Sequence, residues 1–495
     1  MYWPFFIMAA VVDCTIDFHC AIRIQLFVFD VSGETLDLVT LAHTRPSTGT
    51  RNRKTAPVVN QPEDRICFRN TSKQWRNQEQ NMDVYLVRKP IFDHRQSVFA
   101  YEILYRTQPP TSAESSRNES VATTPETDAI FHPELQRITR GRKAFIRYDS
   151  DALAADCKSL LPAPMVIVEL VEEMEPVTVF IDSCQRLKDA GFQLAMGDFA
   201  LQWESTNPLL ELVDFIRIDF SQPGVADIQD AMQRIASRGI KFLAHGVDTR
   251  EDFEAAQEAG YDYFQGGFFG KPATATSTEI PGYKLNHLRI LHELNRTDLD
   301  FSALERVIKQ DAALSYKLLT CVNSVAFGIR PTVSSIRHAL TLLGEHEIRK
   351  WASMVILRDL AQDKPTELLV TSLVRANLCG SLAPLVGMRA KGQELFLVGL
   401  LSLLDVIVGQ PMPEIMQNMP LGNDIQTALL GGGNQYRAVL SLVVSYERGD
   451  LERFYVQANE LRLDEALVTD LYLRSIDLTE EAMQLYGPRF DPAKP

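Results

Sequence analysis

Charged and polar side chains stand near the ends of short β-rich runs in the first half of this 495-residue sequence. The runs are YEILYR, VELVEE, LAMGDF, IRIDF, AHGVDT and FQGGFFGKP, beginning at Tyr101, Val168, Leu194, Ile216, Ala244 and Phe264. Glu102 and Glu169 in these runs could be neutralised by Arg147 or Arg217, which would leave paired charges without a ligand. His245 could bind a transition metal through its imidazole, but a lone histidine at a strand end is more often an ordinary hydrogen-bonded residue.

The segments around these side chains follow an α/β pattern. From residue 83 to about residue 272, short β-rich runs alternate with helical stretches, two of which end at the helix-stop glycines Gly191 and Gly260. Such alternation is typical of parallel strands joined by crossover helices. The sequence therefore predicts an α/β barrel of the TIM type for this part of the chain.

The second half of the chain has a different pattern. After Pro281 the strand signals fade, and long amphipathic runs follow, as at 312–323 and 367–386. Such runs are typical of helices that pack one apolar face into a core. The sequence therefore predicts an all-α domain here.

Three segments follow from these patterns. We expect a poorly structured N-terminal extension at 1–81, the barrel at 82–275 and the helical domain at 282–487. A chain of this length exceeds the size at which single cores stop growing, so two folded domains are expected. Met82 immediately precedes the first convincing strand, so an upstream start codon assigned in error would explain why the leading segment looks unlike the remainder.

The six β-rich runs resemble, in order and at compatible spacing, the motifs of EAL-domain phosphodiesterases. The helical segments VIKQDAALSYKLLTCVNSVAFG from Val307 and VSSIRHALTLLGEHEIRKW from Val333 resemble the opening of HDOD domains. The chain is therefore similar to bacterial EAL-HDOD signalling proteins, and the resemblance implies a TIM-like EAL barrel followed by an all-α HDOD domain. HDOD domains look like relatives of HD phosphohydrolases, but none of the nine histidines here is followed by Asp.

The resemblance implies a site for two divalent cations, held by carboxylates and an amide at the strand ends, because hard cations prefer oxygen ligands. Arg106 matches an arginine that contacts phosphate, and we expect it to bind ligand. The remnant site positions are Glu102, Glu169, Asp198, Asp219 and Gln265.

Four other positions depart from the family pattern. Arg147 stands in place of an Asn, Gly197 in place of an Asp, Arg217 in place of a Lys, and His245 in place of a Glu. Arg cannot act as Lys does, and a lost ligand leaves charge uncompensated. We therefore expect no functional catalytic residue and no bound metal.

These losses favour a non-enzymatic regulator that binds other signalling proteins, linked by resemblance alone to cyclic di-GMP signalling in motility, pili or biofilm control. No cofactor is expected on that interpretation, and a homodimer is an open alternative. One alternative function is residual cyclic di-GMP phosphodiesterase activity, which would need magnesium or manganese. A second is a sensor that binds cyclic di-GMP without cleaving it.

Charge and composition restrict the classes of partner and the location that the sequence allows. A formal net charge of -14 argues against a nucleic-acid-binding chain. The apolar opening from Met1 to Val12 lacks a basic flank and is too short to cross a bilayer, so we expect no membrane insertion and a cytoplasmic location. The seven cysteines form no CxxC pair and are expected to be reduced.

Overall fold

The computed structural model describes residues 10–16, 21–29, 35–44, 85–106, 135–148, 162–170, 178–197, 208–221, 225–235, 238–271, 284, 287–288, 290–291, 294, 301–310, 312–323, 333–419 and 421–486. The chain divides into two compact units, Met1–Glu79 and Gln80–Pro495.

The first unit contains a small antiparallel sheet. Its strands are β1 (Ala10–Ile16), β2 (Ala21–Phe29) and β3 (Thr35–Thr44), paired in the order β1-β2-β3. The N-terminal extension, expected to be poorly structured, therefore has three strands in its first half, where the sequence is apolar. Met82 and the polar run after Thr44 lie outside the described residues.

The second unit opens with a closed eight-stranded barrel, as the sequence predicted. Its strands are β4 (Tyr85–Phe92), β5 (Val98–Arg106), β6 (Lys143–Tyr148), β7 (Val166–Leu170), β8 (Gln193–Gly197), β9 (Phe215–Asp219), β10 (Lys241–His245) and β11 (Tyr263–Gln265). They close in the order β10-β11-β4-β5-β6-β7-β8-β9. Helices α1 (Thr178–Asp189), α2 (Val225–Ile235) and α3 (Arg250–Glu258) lie in the connections.

Strand β4 departs from the expected all-parallel arrangement. It runs antiparallel to both of its neighbours, β5 and β11. The reason is the short turn at 93–97, because a parallel pair needs a crossover of a dozen residues or more. In that turn the Asp93 side chain accepts hydrogen bonds from the backbone N–H groups of Arg95 and Ser97, and Gln96 adopts a left-handed φ of 58°.

Alternating side chains fill the inside of the barrel in layers. Successive residues of a strand point to opposite faces, so every second residue faces inward. One inward layer is apolar and tightly packed, and consists of Ile91, Ala100, Phe145, Ile167, Ala195, Phe215 and Leu243, with Tyr263 packed against it. The next inward residue on each strand therefore belongs to a second layer nearer the carboxyl ends of the parallel strands.

The rest of the second unit is helical, as predicted. The helices are α4 (Phe301–Gln310), α5 (Ala312–Val322), α6 (Ile336–Leu360), α7 (Thr366–Leu382), α8 (Gly392–Leu401), α9 (Leu404–Val408), α10 (Met412–Asn418), α11 (Asn423–Leu429), α12 (Gln435–Arg448), α13 (Leu451–Glu460) and α14 (Glu465–Tyr486). Helix α6 is broken at Gly344, whose φ of 72° is left-handed. Across the described part of the chain, no helix has both the length and the apolar character needed to cross a membrane.

The helical domain packs directly on strands β4 and β5. The Tyr85 hydroxyl on β4 donates a hydrogen bond to the backbone carbonyl of Tyr446 on α12 (2.7 Å). The Tyr446 hydroxyl in turn donates to the backbone carbonyl of Leu86 (2.7 Å). Tyr101 of β5 donates to the carboxylate of Glu367 on α7 (2.8 Å). The guanidinium of Arg88 lies 4.5 Å from the centre of the Tyr101 ring. Residues of β4 and β5 thus form part of the core between the two domains.

The Tyr101 hydroxyl should stabilise this contact, since Tyr101, Arg88 and Glu367 are all buried. Replacing Tyr101 by Phe leaves a Glu367 oxygen without its donor, so the free energy of unfolding should fall by about 2 kcal/mol. Urea denaturation at neutral pH measures it. The matched control is Tyr316→Phe, at a side chain that is 72% exposed, where the change should be negligible. Equal effects of the two substitutions would contradict this assignment.

Candidate active site

A polar layer lies directly above the apolar layer of the barrel. Each of its members follows an apolar-layer residue by two positions along its strand or, on the antiparallel β4, precedes it by two. The polar layer consists of Lys89, Glu102, Arg147, Glu169, Gly197, Arg217, His245 and Gln265. Strand register joins them laterally: Lys89 pairs with Glu102, and His245 pairs with Gln265. Most of the residues that the sequence singled out therefore meet at one level of the barrel.

Arg217 sits between the two glutamates. Its Nη1 atom donates to Glu102 Oε1 at 2.7 Å, and to Glu169 Oε1 and Oε2 at 3.1 and 3.0 Å. All three side chains are buried. Arg147 lies farther from Glu169, with 3.5 Å between its Nε and Glu169 Oε2. One guanidinium nitrogen thus bridges two carboxylates on different strands, as the ion-pair alternative anticipated.

The contact between Arg217 and the glutamates affects the pKa values of Glu102 and Arg217. Burial is the largest single effect on the pKa of Glu102 and would raise it, but the charges of Arg217, Lys89 and other neighbours together outweigh burial, so the pKa of Glu102 lies well below its usual range. Burial would likewise lower the pKa of Arg217, but Glu102 and Glu169 raise it above its usual value. Glu102 and Arg217 therefore stay ionised at neutral pH.

Three polar atoms around the ion pair are buried and have no hydrogen-bond partner among the residues that the structure describes. They are Arg217 Nε, His245 Nδ1 and Gln265 Oε1. The other end of the Gln265 amide is engaged, since its Nε2 donates to Glu102 Oε2 at 2.9 Å. Burial, with a smaller effect of Arg217, lowers the pKa of His245 to about 4, so its imidazole is neutral at neutral pH.

The remaining predicted residues are Asp219, Gly197, Asp198 and Arg106. Asp219 follows Arg217 by two positions, and its Oδ1 accepts hydrogen bonds from the N–H (3.0 Å) and hydroxyl (2.6 Å) of Ser221. Gly197 pairs with Arg217 in the strand register and brings no side chain. Asp198 and the side chain of Arg106 lie outside the described residues.

The sequence reasoning missed Lys89. This residue lies opposite Glu102 in the strand register, and its charge also lowers the pKa of Glu102. The alternation of β4 contained the signal, because Lys89 precedes the inward Ile91 by two positions.

As arranged, the described residues do not fit a divalent cation. The carboxylate oxygens that would face a metal ion already bind Arg217. No group of three or more His, Cys, Asp or Glu side chains suited to a metal ion is found in the described ranges. Within the polar layer, the cations Lys89, Arg147 and Arg217 outnumber the two glutamates. The layer therefore favours anions more than a second positive charge.

Comparisons with known proteins agree with this domain order. The EAL domain family matches residues 148–272, and the HDOD domain family matches residues 280–421. The chain is an EAL-HDOD protein. The protein YuxH of Bacillus subtilis is 27% identical over 409 residues, which are 81% of this chain and 99% of YuxH.

Two further comparisons concern cyclic di-GMP. The cyclic di-GMP phosphodiesterase CdgJ of Vibrio cholerae is 28% identical over 389 residues, which are 77% of this EAL-HDOD protein and 88% of CdgJ. A solved structure of Klebsiella pneumoniae BlrP1 with manganese and cyclic di-GMP is 20% identical, covers 39% of this chain and 56% of BlrP1, and has a TM-score of 0.31.

These comparisons contradict the prediction that this EAL-HDOD protein is not an enzyme. CdgJ is a phosphodiesterase, and its alignment is too long to lie within either domain alone. The prediction rested on four replaced positions, read one at a time. Membership in the cyclic di-GMP signalling family is confirmed, whereas the non-catalytic reading is not.

The depressed pKa of Glu102 gives a pH-dependent contribution to stability. Glu102→Gln should lower the free energy of unfolding by about 2 kcal/mol at pH 7, because hydrogen bonds between charged groups contribute about 1.5–3 kcal/mol. A carboxyl whose pKa is lowered on folding contributes fully above its unfolded value of 4.5 and loses the contribution as the pH falls through the folded pKa. Urea denaturation should therefore give the same difference in the free energy of unfolding between wild type and Glu102→Gln at pH 7 and at pH 6. This difference should narrow only below about pH 4.5.

Glu254→Gln is the matched control, because Glu254 makes an exposed pair with Arg250 on α3. Its effect should stay below about 0.5 kcal/mol. A Glu102→Gln difference that already shrinks between pH 7 and pH 6 would show that Glu102 is not held in its ionised form.

Proposed function

We propose that this EAL-HDOD protein is a cyclic di-GMP phosphodiesterase of low activity, with its reaction centre in the polar layer of the EAL barrel. The observation that carries the proposal is the pair of buried glutamates, Glu102 and Glu169, that share one guanidinium at the end of a closed barrel. Barrel enzymes place their active sites at this end of the strands.

The comparison with CdgJ supports the same activity. The similarity extends over most of both proteins, so it includes the HDOD domain as well as the barrel. In the reaction, water adds to phosphorus and the P–O bond to the 3′ oxygen breaks, giving a linear dinucleotide with a 5′ phosphate. Magnesium or manganese would have to displace Arg217 from Glu102 and Glu169 in order to act here, whereas the expectation of no cofactor belonged to the non-enzymatic interpretation.

The side chains of the polar layer have distinct parts in this proposal. Glu102 and Glu169 supply fixed negative charge, and Gln265 orients Glu102 through its amide N–H. Lys89 and Arg147 supply positive charge that attracts the phosphates of a cyclic dinucleotide. Arg217 engages the two glutamates in this arrangement, which is why low turnover is expected.

The test is direct hydrolysis by the purified full chain. With magnesium or manganese present, the protein should convert cyclic di-GMP to the linear dinucleotide. Ion-exchange chromatography separates and quantifies the two nucleotides. Glu102→Gln should reduce the rate at least ~100-fold, because a carboxylate of the reaction centre is lost. Glu254→Gln, on the outer surface of α3, should leave the rate unchanged.

Two results would contradict the proposal. One is the absence of linear product at high protein concentration with either metal ion. The other is equal turnover by wild type and Glu102→Gln, which would indicate a contaminating hydrolase. Binding of cyclic di-GMP without turnover, measured by calorimetry, would instead support the sensor alternative.

The other functional predictions stay predictions. They are the binding of other signalling proteins, a homodimer, and a cytoplasmic location. Light scattering by the purified chain measures the oligomeric state.

A further inference from the structure

We propose that the HDOD domain forms one wall of the candidate active site, and that Gly449, at the end of α12, positions the Lys89 side chain in the polar layer. Gly449 is a positioning residue in this proposal, because it acts through Lys89. The bearing of the proposal on hydrolysis rests on the proposed function. The contact between Gly449 and Lys89 is measurable without turnover.

The inward faces of β4 and β5 lead from the polar layer into the helical domain. Two positions beyond Lys89 and Glu102, the next residues on these faces are Val87 and Leu104, which pair with each other in the strand register. Val87 is buried in the core that the HDOD helices form, and Leu104 packs against that core. On these two strands the HDOD core therefore begins directly above the polar layer.

Gly449 brings the backbone of the HDOD domain against the Lys89 side chain. It ends α12 with a left-handed φ of 73°, and its N–H donates to the carbonyls of Ser445 and Tyr446. A methyl group on Gly449 would lie 2.9 Å from Leu104 Cδ1 and 3.3 Å from both Cε and Nζ of Lys89. Carbon atoms in ordinary contact are about 3.5–4.0 Å apart. Only a residue without a side chain allows α12 to end at this place without displacing its neighbours.

The end of α12 also suits the charge of Lys89. The last carbonyl groups of a helix give its C-terminus a partial negative charge, which favours a nearby ammonium. Lys89 has Glu102 opposite it in the strand register. Burial would raise the pKa of Glu102, and Lys89 is second only to Arg217 among the charges that lower it. The Lys89 ammonium therefore interacts with the HDOD domain and with the polar layer at the same time.

A second set of contacts joins α12 and the helical core to the neighbouring strands of the barrel. Burial would raise the pKa of Asp248, but the Gly267 N–H and nearby cations, Arg448 among them, together lower it. Arg448 is the last residue of α12, and Asp248 follows the end of β10. Phe269, which follows β11, packs against the helical core as well as the barrel core. HDOD residues thus approach β10, β11, β4 and β5, which are consecutive in the closed barrel.

These four strands contribute half of the polar layer. They carry His245, Gln265, Lys89 and Glu102, respectively. Glu102 and Gln265 are buried, although active sites of barrel enzymes open at this end of the strands. A wall supplied by the HDOD domain accounts for their burial.

The experiment measures how readily an amine reagent modifies Lys89 in the folded full chain. Brief acetylation with acetic anhydride, followed by peptide mass spectrometry, compares Lys89 with Lys391, whose side chain is 50% exposed, in the same sample. We expect Gly449→Ala to raise the ratio of Lys89 to Lys391 acetylation by ~5-fold or more, because overpacking displaces the Lys89 side chain from the end of α12.

The matched control is Gly409→Ala. Gly409 also ends a helix of the HDOD domain, α9, with a left-handed φ of 79°, but nothing lies within 4 Å of a methyl group placed there. Both substitutions therefore impose a similar backbone strain, and only Gly449→Ala adds a contact. Gly409→Ala should leave the acetylation ratio at its wild-type value.

Gly449→Asn is a second variant for the case in which Gly449→Ala does not fold. Asparagine tolerates a left-handed φ better than alanine does, so it adds the side chain with less backbone strain. Its acetylation ratio should rise at least as much as that of Gly449→Ala.

The activity of the same variants tests whether Gly449 acts through Lys89. Lys89→Met and Gly449→Ala should each lower kcat/KM for cyclic di-GMP by ~10-fold, whereas Gly409→Ala should leave it unchanged. The double variant Lys89→Met/Gly449→Ala should be no slower than Lys89→Met alone, because the residue through which Gly449 acts is then absent. Losses that add in the double variant would contradict positioning through Lys89.

Two acetylation results would overturn the proposal. One is an unchanged ratio in both Gly449→Ala and Gly449→Asn, and the other is an equal rise in Gly409→Ala, which would indicate general strain in the HDOD domain. A wild type that fails to hydrolyse cyclic di-GMP contradicts the phosphodiesterase proposal but leaves the acetylation comparison unaffected. An unchanged acetylation ratio contradicts the positioning proposal even if wild type is an active enzyme.

Discussion

The bridge from Arg217 to Glu102 and Glu169 is the interaction on which the interior of the barrel depends. Three charges lie beneath the protein surface, where each would be unstable alone. The apolar layer below them excludes water, and this strengthens the attraction between opposite charges. Because the three side chains come from β5, β7 and β9, the bridge forms only when the barrel is closed.

The same strands connect this centre to the HDOD domain. On β5, Glu102 points into the barrel while its neighbour Tyr101 points outward to Glu367. On β4, Lys89 lies opposite Glu102 in register, while Arg88 packs over the Tyr101 ring. The alternation of a β-strand thus places polar-layer side chains and interdomain side chains next to each other in sequence.

The four departures from the EAL pattern do not act separately. Gly197 brings no side chain to the layer, but Arg217 binds the two retained glutamates, and His245 and Gln265 lie beside them with unpaired atoms. Reading each replaced position as a loss led to the prediction of a protein without activity. Their common location instead describes one rearranged centre.

The sequence by itself determined the order of the two domains, most strands and helices of both, and seven of the eight members of the polar layer. It could do so because strand alternation, amphipathic periodicity and motif spacing are local properties of the chain. The tertiary structure decided that β4 runs antiparallel, that Lys89 belongs to the layer, and that Tyr101 meets Glu367. It also decided that Arg217 joins Glu102, 115 residues away, to Glu169, 48 residues away. Such contacts depend on strand register and barrel closure, which bring together residues that no local pattern relates.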